Sequence, residues 1–253
     1  MCMSLSVIII TRNESANIVA CLQSVSFADE VIVLDGQSTD DTISLAQKYG
    51  ATVVHSQTWD GFGHQKNKAL AHATHEWVLS LDADERVSDQ LAKEIQAVLT
   101  HAHHAVYDIP RLTNFCGQWI HHCGWRPDRV ARLFKRNEAR FSDDVVHEKL
   151  IPLYTQSVGR LQNSLLHYSY PTAQSYWRKL QTYSQAWAQQ KFDQGQTTSM
   201  LRAVSSGFFA FLKSYLFRLG FLDGAMGLAV CILQAQAAYG KYFTLYCLNQ
   251  GKK

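Results

Sequence analysis

Two carboxylates separated by one residue stand directly after a continuous apolar segment. They are Asp82 and Asp84, preceded by the predicted strand Trp77–Leu81. Side chains alternate along an extended chain, so both carboxylates point to the same side where that strand ends. Carboxylate oxygens suit a divalent cation, Mg²⁺ or Mn²⁺, that bridges a diphosphate. The pattern predicts a metal site at Asp84 and Asp82, although the same tripeptide also occurs on solvated turns.

Two further polar clusters follow the first two predicted strands, at residues 11–14 and 35–42. The carboxyl ends of parallel strands meet at one edge of a sheet, so all three clusters are expected at the same crevice. Asp35 can accept hydrogen bonds from a base or a ribose, and Gly36 lets the backbone approach a ligand. Helix capping is the alternative role for the polar side chains of Ser38, Thr39 and Asp40.

The elements that must position these clusters are visible in the hydrophobic pattern. Up to about Thr100, short apolar runs alternate with helical spacing, which predicts an α/β fold with a mostly parallel central sheet. The predicted strands are Ser6–Ile10, Val31–Leu34, Thr52–His55, Trp77–Leu81 and, later, Val130–Phe134. The predicted helices include Thr42–Tyr49, ended by Gly50, then His64–Ala73 and a helix capped by Ser88.

Composition excludes several classes of protein. The chain has 253 residues, 47% of them hydrophobic, and a net charge of +3 without dense Lys/Arg runs, so a nucleic-acid partner is not expected. Six scattered cysteines and an N-terminus without a secretion signal predict free thiols in the cytoplasm. No Gly-x-Gly-x-x-Gly follows the first strand, which disfavours dinucleotide oxidoreduction.

Three segments together resemble, in order and spacing, the family 2 glycosyltransferases of GT-A fold. They are Ser6–Glu14, Val33–Thr42 and Leu81–Glu85. The resemblance implies a UDP-sugar donor whose uridine side is held by Thr11, Asn13, Glu14 and Asp35. It also implies that Asp82 approaches the ribose and the metal, and that Asp84 approaches the metal most directly. Arg12 departs from the aromatic residue common in the family.

Gln65-Lys66-Asn67 also looks like the family's donor-binding segment. Lys66 is therefore expected to pair with the diphosphate. An exposed helical lysine is the alternative.

A catalytic base is expected in the stretch that ends at Glu148. Val146-His147-Glu148 resembles a segment of family 2 enzymes that build the lipopolysaccharide inner core. An inverting transfer needs one carboxylate near the acceptor hydroxyl, and Glu148 is the first choice, with Asp144 second. The alternative for Glu148 is an ion pair with Arg132 or Lys149.

The preceding segment, residues 125–136, is rich in arginine. Guanidinium groups at Arg129 and Arg132 could bind acceptor phosphates or the donor diphosphate. A solvated basic strand is the alternative.

The sequence predicts three consecutive parts. Residues 1–100 form the donor-binding half, 101–170 the acceptor-binding and catalytic half, and 171–253 a helical extension beginning with Pro171 in its first turn. Apolar runs in Ala203–Leu248 are interrupted by charged and amide residues, which predicts helices on a membrane surface. A helical hairpin closing the core, or a dimer interface, is the alternative.

Phe221-Leu222-Asp223-Gly224 extends the resemblance to the β-1,4-glucosyltransferases of the inner core. It implies an inverting, cation-dependent transfer of glucose from UDP-glucose to a heptose, on the cytoplasmic face of the inner membrane. Transfer to a polyprenyl phosphate or another surface glycan, and a non-catalytic nucleotide-sugar-binding scaffold, are the alternatives. Zinc is not expected, because no second ligand pair accompanies Cys116, His121, His122 and Cys123.

Overall fold

A computed structural model describes residues 4–142, 148–154 and 157–251. The strands are β1 (Leu5–Thr11), β2 (Glu30–Asp35), β3 (Thr52–His55), β4 (Trp77–Asp82), β5 (Glu85–Val87), β6 (Val106–Phe115), β7 (Gln118–Ile120), β8 (Asp128–Lys135), β9 (Ala139–Phe141), β10 (Leu150–Pro152), β11 (Gly159–Arg160) and β12 (Leu165–Tyr170). The helices are α1 (Ile18–Ser24), α2 (Thr42–Lys48), α3 (Phe62–His72), α4 (Asp89–Thr100), α5 (Ala173–Asp193), α6 (Met200–Leu212) and α7 (Gly224–Gln250). A π-helical turn, Lys213–Phe217, and a 3₁₀ turn, Gly220–Asp223, lie between α6 and α7.

The fold is α/β with one large sheet, in the order β3-β2-β1-β4-β8-β6-β12-β5. Its first four strands are parallel, as expected. The pairs β4–β8, β8–β6 and β12–β5 are antiparallel. The parallel half therefore carries the three polar clusters at the carboxyl ends of β1, β2 and β4.

β1 is buried on both faces because its apolar residues serve two cores. Val7 and Ile9 pack in a cluster that includes α1 and α4, whereas Ile8 and Ile10 pack in a second cluster that includes α3. A continuous apolar run is typical of a strand covered on both sides. This burial fixes the strand end at Thr11, where the first polar cluster begins.

Two predicted helix boundaries are confirmed. Gly50 follows α2 with φ +83°, a conformation that favours glycine. The Oγ of Ser88 accepts a hydrogen bond from the N–H of Leu91 at 3.2 Å and so caps α4. Pro171, in contrast, lies before the N-cap Thr172 of α5 rather than inside its first turn.

The chain forms two compact units. The sheet unit comprises Met1–Arg111 and Asp128–His167, and the helical unit comprises Leu112–Pro127 and Tyr168–Lys253. In the helical unit, α7 packs against α5 and α6. The roles assigned to residues 1–100, 101–170 and 171–253 stay predictions.

One helical segment of the described chain, Gly220–Gln250, is long and apolar enough to cross a membrane. Only 17% of its most apolar window is buried inside the protein. The charged and amide residues of Ala203–Leu248 were expected to leave no apolar run long enough to span a membrane, but this helical segment, which includes Lys241, is apolar enough despite them.

The cysteine and histidine residues considered for zinc have other partners. The backbone N–H groups of His121 and His122 both donate to Oδ2 of Asp223, and Nδ1 of His122 lies 2.8 Å from Oδ1 of the same carboxylate. Across residues 4–142, 148–154 and 157–251, no three His, Cys, Asp or Glu side chains are grouped to hold a metal.

Candidate active site

The carboxylate of Asp82 lies between two cations at the end of β4. Its Oδ1 is 2.8 Å from Nζ of Lys66, and its Oδ2 accepts a hydrogen bond from Nη2 of Arg132. Burial would raise the pKa of Asp82, but Arg132 and Lys66 outweigh it and hold that pKa well below its usual range. The carboxylate is thus ionised and already paired within the protein.

Lys66 joins this carboxylate to the predicted base. Its side chain, in the first turns of α3, is only 1% exposed, and Nζ is 2.6 Å from Oε1 of Glu148. The ring of Phe141 lies beneath the same ammonium, 5.7 Å from it. The alternative of an exposed helical lysine is therefore wrong. Glu148 forms its ion pair with Lys66 instead of Arg132 or Lys149.

Asp144, the second candidate base, lies outside the described residues, as do Val146 and His147. Of the two candidate bases, Glu148 lies within the described residues.

Arg132 reaches Asp82 from a β-bulge in β8. The register with β6 steps from the pair Leu133–Tyr107 directly to Ala131–Asp108, which leaves Arg132 as the extra residue. Its Nη2 also lies 3.0 Å from Oε1 of Glu85. Burial would lower the pKa of Arg132, but Asp82 and Glu85 together raise it, so this guanidinium stays charged.

The fully buried carboxylate of Glu85 organises the turn after β4. Its Oε2 accepts the backbone N–H of Asp82 at 3.0 Å, while its Oε1 faces Arg132. The side chain of Glu85 therefore holds both the backbone and the cationic partner of Asp82.

Arg129 contacts a different carboxylate. Its Nε is 2.6 Å from Oδ1 of Asp108, and its Nη2 donates to the carbonyl of Leu161 at 2.6 Å. The structure therefore brings Arg132 to Asp82, while the guanidinium of Arg129 ties β8 to neighbouring parts of the sheet unit.

His167, which was not among the predicted residues, also lies at the candidate site. Its Nε2 lies 3.3 Å from Oδ2 of Asp84. The antiparallel pairing of β12 with β5 places His167 opposite Glu85, one residue after Asp84. The sequence around His167 shows only a histidine among Leu and Tyr residues. Its position beside Asp84 depends on the pairing of His167 with Glu85, which are 82 residues apart in the sequence.

The predicted uridine-binding residues gather at the ends of β1 and β2. Thr11 pairs with Asp35 in the parallel register, and Oδ2 of Asp35 accepts the N–H of Ser38 at 2.9 Å. Asn13 adopts φ +57°, and its Oδ1 accepts the N–H of Thr39 at 2.8 Å. The buried Oγ1 of Thr11 has no hydrogen-bond partner among the described residues, an uncommon state for a buried hydroxyl.

Glu14 and Asp40 bind the start of α2 to the first cluster. The N–H of Glu14 donates to Oγ1 of Thr42 at 2.8 Å, and Oδ1 of Asp40 accepts the N–H of Thr42 at 3.1 Å. Burial slightly raises the pKa of Asp40, but hydrogen bonds from Thr42 and Ser15 lower it to about 2. The side chain of Asp40 thus binds the N–H of Thr42 at the start of α2, which agrees with helix capping, the alternative role for this cluster.

Gly36 has a tight neighbour within the sheet unit. A Cβ at this position would lie 2.4 Å from Cε3 of Trp59, and the N–H of Gly36 donates to the carbonyl of Thr11 at 2.8 Å. The absent side chain lets the Trp59 indole lie directly against the end of β2.

Comparison with known proteins identifies the family to which the chain belongs. A family model described as "Glycosyl transferase family 2" matches residues 6–180. The chain belongs to this family. An uncharacterised glycosyltransferase of Rickettsia prowazekii is 32% identical to this family 2 glycosyltransferase, over 93% of this chain and 84% of that protein. The lipopolysaccharide core biosynthesis glycosyltransferase LpsC of Rhizobium meliloti is 27% identical, over 94% and 93% respectively.

A solved structure shares the fold of this family 2 glycosyltransferase. Residues 1–349 of S. aureus TarS, crystallised in complex with UDP, match it with a TM-score of 0.51 and 16% identity. The match covers 99% of this chain and 92% of that one. The α/β architecture expected from the sequence, the GT-A fold, is confirmed.

Proposed function

We propose that this glycosyltransferase transfers glucose from UDP-glucose to a heptose of the lipopolysaccharide inner core, with inversion at the anomeric carbon. The observation that carries the proposal is the chain of contacts from Asp82 through Lys66 to Glu148, which joins the donor motif to a base. An acceptor in the lipopolysaccharide core is supported by the similarity to the core biosynthesis glycosyltransferase LpsC along nearly the whole of both chains.

The uridine side of the donor is assigned to Thr11, Asn13, Glu14 and Asp35. The unsatisfied hydroxyl of Thr11 and the carboxylate of Asp35 stand side by side at the strand ends. Buried polar groups at such a crevice bind the polar edge of a ligand. Asn13 and Asp35 accept hydrogen bonds from backbone N–H groups of the 38–39 loop, and these bonds hold the cluster in a fixed arrangement without a bound donor.

A divalent cation fits Asp84 better than Asp82. Asp84 offers a carboxylate, the ligand type that suits Mg²⁺ or Mn²⁺, and Nε2 of His167 lies 3.3 Å from its Oδ2. Both oxygens of Asp82 are engaged by Lys66 and Arg132. When bound, the cation supplies Lewis-acid stabilisation to the departing diphosphate.

Glu148 takes the acceptor proton in the proposed reaction. The acceptor oxygen bonds to the anomeric carbon, the bond from that carbon to the diphosphate breaks, and the hydroxyl proton passes to Glu148. Because Oε1 already receives the Lys66 ammonium, Oε2 is the oxygen assigned to this proton. Lys66 holds the carboxylate in place, and the buried cations Lys66 and Arg132 offset negative charge as UDP departs.

We place the enzyme on the cytoplasmic face of the inner membrane. The helical unit contains ten Lys and Arg against two Asp and Glu, a formal charge of +8. The sheet unit contains 14 Lys and Arg and 19 Asp and Glu, a formal charge of −5. Exposed apolar side chains are concentrated in the same helical unit: Leu201, Val204, Phe208, Phe209, Leu216, Phe217, Leu219, Phe221, Leu222 and Ile232. Positive charge beside exposed apolar groups suits an anionic bilayer surface.

Release of UDP from UDP-glucose tests the proposed reaction, with a deacylated, heptose-containing core oligosaccharide as acceptor. Asp84→Ala is expected to lose most of the Mn²⁺-dependent rate. Glu148→Gln should bind UDP-glucose normally yet turn over about 10²- to 10⁴-fold more slowly, the usual contribution of a general base. Glu76→Gln, which changes an acid that is 52% exposed and paired with Lys135, is the matched control and should keep the wild-type rate.

A wild-type enzyme that ignores heptose-containing acceptors would contradict the proposed acceptor. A normal rate in Glu148→Gln would move the base to another residue.

A further inference from the structure

The helical unit contains a pocket between α5, α7 and the end of β12, with a volume of about 260 Å³. We call it the aromatic pocket and define it by Tyr170, Tyr176, Lys179, Tyr183, Trp187 and Lys241. Four aromatic rings and two ammonium groups thus share one concave surface. None of the predicted donor, metal or base residues belongs to it.

The two lysines give the aromatic pocket a positive charge that no acid in its lining offsets. Nζ of Lys241 lies over the ring of Trp187 at 5.1 Å, and Nζ of Lys179 lies over Tyr170 at 4.9 Å. No ion pair formed by residues 4–142, 148–154 or 157–251 includes either lysine. Nζ of Lys179 also lies 3.3 Å from the carbonyl oxygen and the Oγ of Ser169. These are neutral acceptors, and stacking on a ring stabilises an ammonium only modestly, so both lysines keep a positive charge that can attract an anion.

The rings provide the second half of the recognition surface. Tyr170 and Tyr176 are tilted against each other at 5.0 Å, and Trp187 meets Tyr242 edge to face at 4.9 Å. The ring of Tyr183 is 57% exposed at the mouth of the pocket. These contacts fix the inner rings, so a flat ligand meets a preformed surface.

We propose that the aromatic pocket binds a phosphorylated saccharide. The polarised C–H groups of a sugar ring pack on the negative faces of aromatic rings, and a phosphate on that sugar pairs with the two ammonium groups. Phosphate alone needs no aromatic surface, and an apolar ligand needs no lysine. A sugar phosphate uses both halves.

This inference rests on the proposed transfer to a carbohydrate acceptor and adds a second recognition point on that class of molecule. The pocket lies entirely within the helical unit. Binding there can be measured without donor, metal or turnover. A failure of the proposed reaction and a failure of this binding site are therefore separate results.

Saturation-transfer NMR on the full chain, without nucleotide or metal, tests the site with four probes. They are glucose 6-phosphate, glucose, inorganic phosphate and glycerophosphoglycerol, a soluble mimic of an anionic lipid headgroup. Glucose 6-phosphate is expected to bind at least tenfold more tightly than the other three. Raising the salt from 0.05 to 0.5 M should weaken its binding, because the ammonium groups are accessible to solvent ions.

Substitutions assign the binding to the aromatic pocket. Lys241→Gln and Lys179→Gln should each weaken glucose 6-phosphate binding at least fivefold. Tyr183→Ser should weaken both glucose and glucose 6-phosphate and, because the ring is largely exposed, leave the fold intact. Lys191→Gln is the matched control, since this lysine of α5 lies outside the pocket lining and contacts Gln194.

Equal binding of glucose 6-phosphate by wild type and Lys241→Gln would overturn the proposal. Equal or tighter binding of glycerophosphoglycerol would also overturn it, by assigning the pocket to a lipid headgroup.

Discussion

Lys66 shares one buried ammonium between two carboxylates whose residues lie 66 positions apart in the sequence. Removing one partner from a buried ion pair commonly costs about 3–5 kcal/mol, because the remaining charge is left uncompensated. Asp82 has a second cation, Arg132, whereas the ion pair described for Glu148 is with Lys66. The position of Glu148 therefore depends more strongly on Lys66 than that of Asp82 does.

The pH dependence of stability is expected to report the Asp82 ion pairs. Burial raises the pKa of Asp82, but Arg132 and Lys66 depress it further, so the folded-state pKa lies below the unfolded value of about 3.9. The pairs thus stabilise the fold above that value and lose their contribution as the pH falls below about 4. Urea unfolding from pH 7 to pH 3 should show Asp82→Asn destabilised at pH 7, with the difference from wild type shrinking in acid.

Asp89→Asn, at an exposed position of α4, is the control for this acid titration. A constant difference between wild type and Asp82→Asn across the whole pH range would contradict the ionic origin of the effect.

The sequence indicated the positions of the charged and polar residues at the strand ends better than it indicated their partners. The Asp82 and Asp84 pattern, the strand before it and the polar ends of β1 and β2 all follow from local spacing. The Lys66–Glu148 pair and the His167–Asp84 contact depend on pairings that span 82 and 83 positions. No local sequence pattern predicts contacts between residues this far apart in the chain, because the packing of the whole sheet unit determines them.

At the scale of elements, the parallel strands were the most predictable part of the molecule. Apolar runs bounded by polar clusters placed β1, β2 and β4 within one residue of their observed bounds. The antiparallel strands were harder to predict, since β5, β7, β9 and β10 have only three residues each. Segments that short have too few side chains to establish an alternation.

Gly36, at the end of β2 against the Trp59 ring, is expected not to tolerate substitution by alanine. Gly36→Ala would place its Cβ 2.4 Å from Cε3 of Trp59, so the ring or the strand end must move. Overpacking of this kind commonly costs about 1–3 kcal/mol. Thermal unfolding should show a lower Tm for Gly36→Ala, together with weaker UDP-glucose binding because Asp35 is adjacent.

The double variant Gly36→Ala with Trp59→Leu separates the clash from a general loss of packing. It should be less destabilised than the sum of the two single variants, because the smaller side chain makes room for the methyl group. An unchanged Tm in Gly36→Ala alone would show that the Trp59 ring moves aside at no cost.

At the scale of the whole molecule, charge and exposed apolar surface divide unevenly between the two units. The helical unit carries +8, and its few acids include Asp223, whose carboxylate binds backbone N–H groups of His121 and His122. Sequence composition hides this division, because the net charge of the chain is only +3. The division becomes visible once the fold assigns each charge to a unit.

Cosedimentation with vesicles tests the proposed membrane surface. Binding should be stronger to phosphatidylglycerol vesicles than to phosphatidylcholine vesicles and should fall as salt rises to 0.5 M. The double variant Phe217→Ser with Leu222→Ser removes two exposed apolar side chains, each worth about 1.5–3 kcal/mol when fully buried. It should lower the partition coefficient at least tenfold.

Tyr154→Ser is the matched control, because this residue is 66% exposed and belongs to the sheet unit. Unchanged partitioning of the double variant would instead favour helices that close the core or form a dimer interface.

The β-bulge at Arg132 restricts how this gene can change in length. Deleting one residue from β8 would remove the bulge and turn Arg132 toward the opposite face, away from Asp82. Repositioning the flanking residues would also disturb Leu133 and Phe134, which are fully buried in two different cores. Insertions and deletions among relatives should therefore fall in the turn after β8, and alignments that open a gap within this strand are misplaced.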